Sequence, residues 1–289
     1  MIKKILSIFS LGAIIIALTG CDFKTNSMDD ITIYTTNYAS EYIVKRLYGD
    51  HSSIYSIYPN GVNISNYKLT SKQIKDYSNS DLYIFNGLNS NEKNYVSKMR
   101  ENNKKIKIID DTLSMAYING MEELWLDPSN FLMIAQNIKN GFAEYIDNYY
   151  LNNDINNNYE ELKIEASNLD VKIKQTVANA EHKNIVTSNK MFKYLEKYGL
   201  TVYSLDNNAS SKTIDAVKDL INKGEIQYIF IMDEEEINGN VKDFTDNYNV
   251  KTLNWNTLSN LSENEKNSNQ DYFTIMNENI SLLRDELYE

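Results

Sequence analysis

Very little sulfur or imidazole is available for chemistry in this chain. Cys21 is the only cysteine, and His51 and His182 are the only histidines, among 289 residues. That is too few for a zinc finger or an iron–sulfur cluster, and a disulfide has no second partner. Carboxylates are plentiful at 40 Asp and Glu, and a pair of them could do general acid and base work. The densest run, Asp233-Glu234-Glu235-Glu236, follows a strand pattern and precedes Asn238-Gly239. Like charges packed this closely read as a solvated turn, with a cation-collecting loop as the alternative. Neither histidine sits in an evident nucleophile motif: His51 follows Gly49-Asp50 at a turn, and His182 lies in a polar stretch before a strand. No glycine-rich phosphate loop follows a strand. These residues point to a binding protein and not to an enzyme. With 29 Lys and Arg the net charge is −11 and the pI about 4.8, the wrong sign for tracking a phosphate backbone, so nucleic acid is set aside as a partner.

Cys21 has a different use. Lys3 and Lys4 precede an apolar run over 5–18, too short for a membrane span but suited to the hydrophobic part of a secretory signal. The run ends in Leu18-Thr19-Gly20-Cys21, which resembles the bacterial lipobox, where the cysteine thiol receives a diacylglycerol and the preceding peptide bond is cut. Residues 1–20 are therefore expected to be a lipoprotein signal peptide and 21–30 a polar tether. The expected location is the outer face of a bacterial cytoplasmic membrane. Cleavage removes two lysines and no acid, leaving 27 basic against 40 acidic residues and a net charge of −13.

The elements that must position any site follow a strand-then-helix rhythm. Strand patterns at 31–35, 52–58, 81–85 and 105–109 alternate with amphipathic stretches at 38–48, 71–77 and 91–100, which predicts a parallel sheet with right-handed crossovers. Asp127 caps a helix opened by Pro128 and predicted to run to about residue 150. An Asn-rich break at 152–158 follows. Tyr159, Leu162, Ala166, Leu169 and Ile173 then place one apolar stripe along a long helix. After it come strands at 185–187, 201–204, 228–231 and 250–253, helices at 190–198 and 213–223, and a last helix at 272–287. The fold expected is α/β: two lobes, each with a parallel sheet flanked by helices, joined by one long backbone helix. The N-terminal lobe spans 31–150, the linking helix 151–182 and the C-terminal lobe 183–289. Open α/β sheets bind ligands at the carboxyl ends of their strands, so the site is expected in the loops after Tyr58, Asp110, Thr187 and Leu253.

Those loops carry motifs in a distinctive order. They are Ile33-Tyr34-Thr35-Thr36, Tyr48-Gly49-Asp50, Pro59-x-Gly61 leading to Tyr67 and Thr70, and Asp81-Leu82-Tyr83-Ile84-Phe85-Asn86-Gly87-Leu88. Trp125-Leu126-Asp127-Pro128 follows, then Thr187-Ser188 with Phe192, Tyr194 and Tyr198-Gly199-Leu200. From about residue 31 onward the chain resembles the zinc and manganese solute-binding lipoproteins of bacterial ABC importers, the group built on a rigid backbone helix. The resemblance implies a monomer that presents a divalent cation, zinc or manganese, as cargo to a membrane permease driven by an ATPase. It also implies only small lobe movement.

The ligand positions depart from that pattern. Members of the family hold the metal with up to three His and one carboxylate. The positions equivalent to those ligands are Ser65, Glu123, Asn189 and Asn256 here, with Asn254 the alternative to Asn256. Ser, Asn, Asn and one Glu supply only oxygen and about one negative charge, a poor set for a transition metal and a weak one for a hard cation. Lys68 stands beside Tyr67 where an acid is common, so an ion pair between Lys68 and Glu123 is expected to fill the cleft. Trp125 is expected as a core anchor beneath the cleft loop. Two further functions fit the altered ligands. One is a non-transporting, adhesin-like surface protein. The other is a binder of a polar organic solute held by Ser65, Asn189 and Asn256, with Trp125 or Trp255 stacking on it.

Overall fold

Strands β1 (Ile31–Thr35), β2 (Ser52–Ser56), β3 (Leu82–Phe85) and β4 (Lys107–Asp110) form one parallel sheet in the order β2-β1-β3-β4. Strands β5 (Asn184–Thr187), β6 (Thr201–Ser204), β7 (Tyr228–Met232) and β8 (Lys251–Trp255) form a second with the same arrangement, β6-β5-β7-β8. The computed structural model describes residues 28–117, 123–232 and 237–288. The expected signal, Cys21, most of the tether and the acidic run 233–236 lie outside the described residues. In each sheet the chain moves outward from the first strand in one direction and then in the other. The crevice at that reversal opens at the strands' carboxyl ends.

Helices α1 (Tyr38–Tyr48), α2 (Ser71–Tyr77) and α3 (Ser90–Asn102) cross between the strands of the first sheet, and α4 (Pro128–Tyr145) leads out of it. The long helix is α5 (Tyr149–Ala178). Helices α6 (Ser211–Asn222), α7 (Gly239–Tyr248), α8 (Glu263–Asn267) and α9 (Tyr272–Tyr288) complete the second half. Their starts follow capping chemistry. Asn37 Oδ1 accepts the Ser40 N–H at 2.8 Å to open α1, and Asp127 Oδ1 accepts the Ser129 N–H at 2.8 Å to open α4 with Pro128 in its first turn. Gly141 lets α4 lie directly on β4, since a Cβ there would sit 2.6 Å from Cγ1 of Ile109.

The Asn-rich break does not exist. Helix α5 runs through it for 30 residues, about 45 Å at 1.5 Å per residue, while α4 stops at Tyr145. The buried stripe starts at Leu151 and Ile155, ahead of the predicted Tyr159, and continues through Leu162, Ala166, Leu169, Ile173 and Val177. Asparagine is a poor helix former by a few tenths of a kcal/mol, but burying two more aliphatic side chains outweighs that. The asparagines also find backbone partners: Asn152 Nδ2 donates to the Ile146 carbonyl at 2.7 Å and Asn158 Nδ2 to that of Leu47 at 3.0 Å. Smaller differences lie elsewhere. Residues Lys190–Tyr198 wind as 3-10 turns closed by Gly199 at φ 100°. Helices α7, with buried Val241 and Phe244 one turn apart, and the five-residue α8 are additions to the expected elements.

One hydrophobic core runs through both lobes. It takes Ile33 and Leu82 from the first sheet, Ile185, Phe230 and Trp255 from the second, and the whole inward stripe of α5. Two smaller clusters fill the outer faces, around Tyr83 and Met99 in one lobe and around Val186 and Phe244 in the other. A shared core on a continuous helix opposes large hinge motion, because closely packed interiors do not deform gradually.

Candidate functional site between the lobes

The carboxyl ends of both sheets meet over a polar cavity of about 60 Å3 lined by Val62, Asn63, Ile64 and Ser65 of the first lobe, Glu123, and Met232, Thr257, Ser259 and Asn260 of the second. Ser65 and Glu123 therefore reach one cavity from different loops. Glu123 also borders a narrower recess of about 20 Å3 with Asp127, Lys190, Lys193 and Tyr194. The Tyr194 hydroxyl is buried with no hydrogen-bond partner among the described residues, and burial raises its pKa.

The other two ligand-equivalent residues each hold the backbone of their own loop. Asn189 Oδ1 accepts the Met191 N–H at 2.8 Å and caps the 3-10 segment, while its Nδ2 donates to Ser188 Oγ at 3.3 Å. Asn256 Oδ1 accepts the Leu258 N–H at 2.9 Å, an Asx turn that supports Leu258 at φ 56°, and Nδ2 donates to Glu265 Oε1 at 2.5 Å. Its backbone is held too, with the N–H donating to Asn279 Oδ1 at 3.0 Å and the carbonyl accepting from Asn279 Nδ2 at 2.8 Å. Neither lines the cavity with Ser65 and Glu123. Asn254 is exposed on β8. Among the described residues no group of three or more His, Cys, Asp or Glu comes together to hold a metal ion. His51 Nδ1 lies 2.7 Å from Asp29 and His182 Nε2 lies 2.9 Å from the Glu286 carbonyl, both away from the cavity.

The expected Lys68–Glu123 pair is not formed. Lys68 is exposed and has no ion pair among the described residues. A lysine with its ammonium in water avoids the desolvation that pairing inside the cleft would cost. Tyr67 accepts from Gln73 Nε2 at 2.9 Å and packs edge-on to Tyr58, with ring centres 5.7 Å apart. Trp125 is 3% exposed. Its indole N–H donates to the Thr257 carbonyl at 2.7 Å, and its own carbonyl accepts from Tyr272 Oη at 2.5 Å. Trp255 is buried between Phe192 and Phe230, so neither indole is free to stack on a solute.

Reading the sequence missed a seam that closes one side of the cavity. Gly61 N–H donates to the Leu261 carbonyl at 3.0 Å, and Tyr38 N–H to that of Ser259 at 2.9 Å. Asn260 Nδ2 donates to the carbonyls of Pro59 and Val62 at 2.7 and 3.1 Å, Asn60 Nδ2 to Glu263 Oε1 at 2.7 Å, and Lys266 Nζ to Asn60 Oδ1. The loop 59–62 is thus stitched across the loop 259–263. No local pattern announces such partners, because they lie about 200 positions apart in a chain full of asparagine. On the far side Arg46 grips Glu165 through two bonds of 2.8 and 2.7 Å, and Lys197 binds Asp127.

Just past the end of β4, between α1 and α4, lies a buried carboxyl. Burial pushes Asp111 up to about 8, against the lowering effect of the 2.5 Å bond from Ser40 Oγ. Its second oxygen has no hydrogen-bond partner among the described residues.

Comparison with known proteins agrees with this architecture. Residues 33–286 match the family model described as zinc-uptake complex component A, periplasmic. The chain is 24% identical to the zinc-binding protein AdcA of Streptococcus pyogenes serotype M1, over 98% of this chain and 61% of that protein. It is 29% identical to the manganese ABC transporter substrate-binding lipoprotein PsaA of Streptococcus pneumoniae, over 76% of this chain and 78% of that one. The crystal structure of the Zn(II)-bound ZnuA-like domain of Streptococcus pneumoniae AdcA superposes with a TM-score of 0.73 at 22% identity, covering 90% of this chain and all of that one. That likeness concerns the fold. The chain spans about 61% of the length of the AdcA relatives it matches. Proteins of this kind are binding components and not enzymes. With both sheets, the shared backbone helix and nearly the whole length matched, the chain belongs to the zinc-uptake component A family of solute-binding proteins.

Proposed function

We propose that this protein is the lipid-anchored solute-binding component of a metal-type ABC importer whose cargo site has been altered. The cavity that Ser65 and Glu123 share across the two lobes carries this reading. Cys21 bears the diacylglycerol and holds a monomer on the outer face of the cytoplasmic membrane, where it presents its solute to a permease and an ATPase. Among the described residues no helix is long and apolar enough to cross a membrane.

Relatives are named for zinc and manganese, but the donors here suit neither. Among the described residues Glu123 is the one carboxylate lining the cavity, and the remaining polar groups there are hydroxyls and amides. Imidazole and thiolate, the groups that hold zinc tightly, are missing from it. A hard cation bound weakly, or a small polar solute, fits this lining better.

A second reading is supported by the side chains of Asn189 and Asn256 turning into their own loops. A scaffold freed from metal can serve as a non-transporting, adhesin-like surface protein. Calorimetric titration of the metal-stripped protein with zinc and with manganese separates the two. Binding at micromolar affinity or tighter, about −8 kcal/mol, supports delivery of metal cargo. Absence of heat, together with an unchanged melting temperature, removes metal delivery and leaves the organic solute or the surface role.

A further inference from the structure

The recess that shares Glu123 with the cavity contains a polar group with nothing to bind. Tyr194 lines it, and the Tyr194 hydroxyl is wholly buried with no hydrogen-bond partner among the described residues. Burying a hydroxyl unpaired is costly, so this one calls for an occupant. Asn130 also lines the recess, and its side-chain amide makes no hydrogen bond among the described residues. Asp127 gives Oδ1 to the Ser129 N–H and to Lys197, which leaves Oδ2 open. The volume of about 20 Å3 holds one water-sized particle.

Charge decides which particle. The two lysines of the recess are paired with acids outside it, Lys190 Nζ lying 3.5 Å from Asp206 and Lys193 Nζ 2.6 Å from Glu196. Lys197 is shared between Asp127 and Asp170, 3.5 Å from the latter. With Glu123, five carboxylates stand against three ammoniums among these described groups, an excess of two negative charges. The positive end of α4 is already answered by Asp127 at its cap. An anion is therefore repelled and a cation is drawn in.

Every donor facing that cation is oxygen. Glu123 and Asp127 bring carboxylates, Asn130 an amide and Tyr194 a hydroxyl, which burial and the charge of Asp127 keep protonated and neutral. Mixed carboxylate and neutral oxygen in an irregular arrangement suits calcium, whereas magnesium demands a near-ideal octahedron. We propose that the recess formed by Glu123, Asp127, Asn130 and Tyr194 binds one calcium ion, apart from the cargo cavity. Two carboxylates make a weak site, with a Kd of about 0.1–1 mM, the range of sites that work outside cells. The ion ties the Glu123 loop to the start of α4 and to the 3-10 segment of the second lobe, and so fixes the carboxylate that lines the cavity. The site stands whatever the cavity carries, because Glu123 alone is common to both.

Calorimetric titration of the metal-stripped full-length protein with calcium chloride, and separately with magnesium chloride, tests the site. Calcium is expected to bind in that range and magnesium several-fold more weakly. Tyr194→Phe and Asn130→Ala are each expected to weaken calcium several-fold while leaving the circular dichroism spectrum as in the parent. No calcium heat up to about ten times that Kd range, or heat that neither variant changes, overturns the proposal. Magnesium binding as tight as calcium overturns the choice of ion. Calcium heat abolished by Ser65→Ala but untouched by Tyr194→Phe puts the ion in the cargo cavity and overturns the separate site. The zinc and manganese titration decides the cargo reading independently of these results.

Discussion

The indole N–H of Trp125 donates to the carbonyl oxygen of Thr257 across the gap between the lobes, at 2.7 Å. Because Thr257 lines the cavity and Trp125 stands two residues after Glu123, this one bond couples the loop carrying the cavity carboxylate Glu123 to the opposite wall. Trp125→Phe keeps most of the packing and deletes the donor. The expected cost is about 1–2 kcal/mol, since the Thr257 carbonyl is left without that partner. Chemical denaturation with an unchanged slope and a lower midpoint would record it; an unchanged midpoint would show that water replaces the indole.

Asp111 should make stability depend on pH in an unusual direction. Its folded pKa is raised, so the native state keeps a proton that the unfolded chain has already released between about pH 4 and 8. Its contribution is therefore fully present below the ordinary Asp range, declines as pH rises, and is gone above about 8. Within that window each pH unit costs up to about 1.4 kcal/mol. Asp111→Asn keeps an acceptor for Ser40 and removes the titration. Melting curves of the two proteins from pH 5 to 8.5 should diverge, with the variant losing less stability toward the alkaline end.

Helix α5 offers a paired test of burial against propensity. Ile155→Ala empties a fully packed position in the shared core and should cost about 2–4 kcal/mol. Exposed Asn153 and Asn157 contribute no such packing, and replacing each with Ala should add about 0.5 kcal/mol. Equal effects from both kinds of change, measured by urea denaturation, would mean that the segment is not held as a packed helix.

Metal affinity should be recoverable by restoring imidazole. Ser65→His with Asn189→His would supply two nitrogen ligands to join Glu123, at a cost of about 1 kcal/mol for the lost Asn189 cap. Zinc binding near micromolar, about −8 kcal/mol, is the expected gain by calorimetry. A double variant as silent as the parent would place the two loops too far apart for a common ion.

Asn260 is the clearest test of the seam. Its amide serves two carbonyls of the other lobe, Pro59 and Val62. Asn260→Ala should cost about 1–2 kcal/mol and speed hydrogen exchange of the Gly61 amide, which donates to Leu261. Faster global exchange with no selective effect at residue 61 would argue against a local stitch.

Local chemistry was enough to read the alternation of strands and helices, the Asp127-Pro128 start of α4 and the stripe from Tyr159 to Ile173. Each depends on neighbours within a turn or a pleat, where spacing alone decides which face is buried. From the repeated strand order follow two parallel sheets and a site at their carboxyl ends. Everything that required distant partners was decided by the tertiary structure. The Asn-rich segment became helix because Leu151 and Ile155 found a core and Asn158 found the Leu47 carbonyl. Ser65 and Glu123 were brought to one cavity, while Asn189 and Asn256 were absorbed by their own loops. Asn60 and Asn260 became the stitches between lobes, though in sequence they are two among many asparagines. A short polar side chain satisfies a cap, a turn or a cross-lobe carbonyl equally well, so only the completed packing selects which of these it serves.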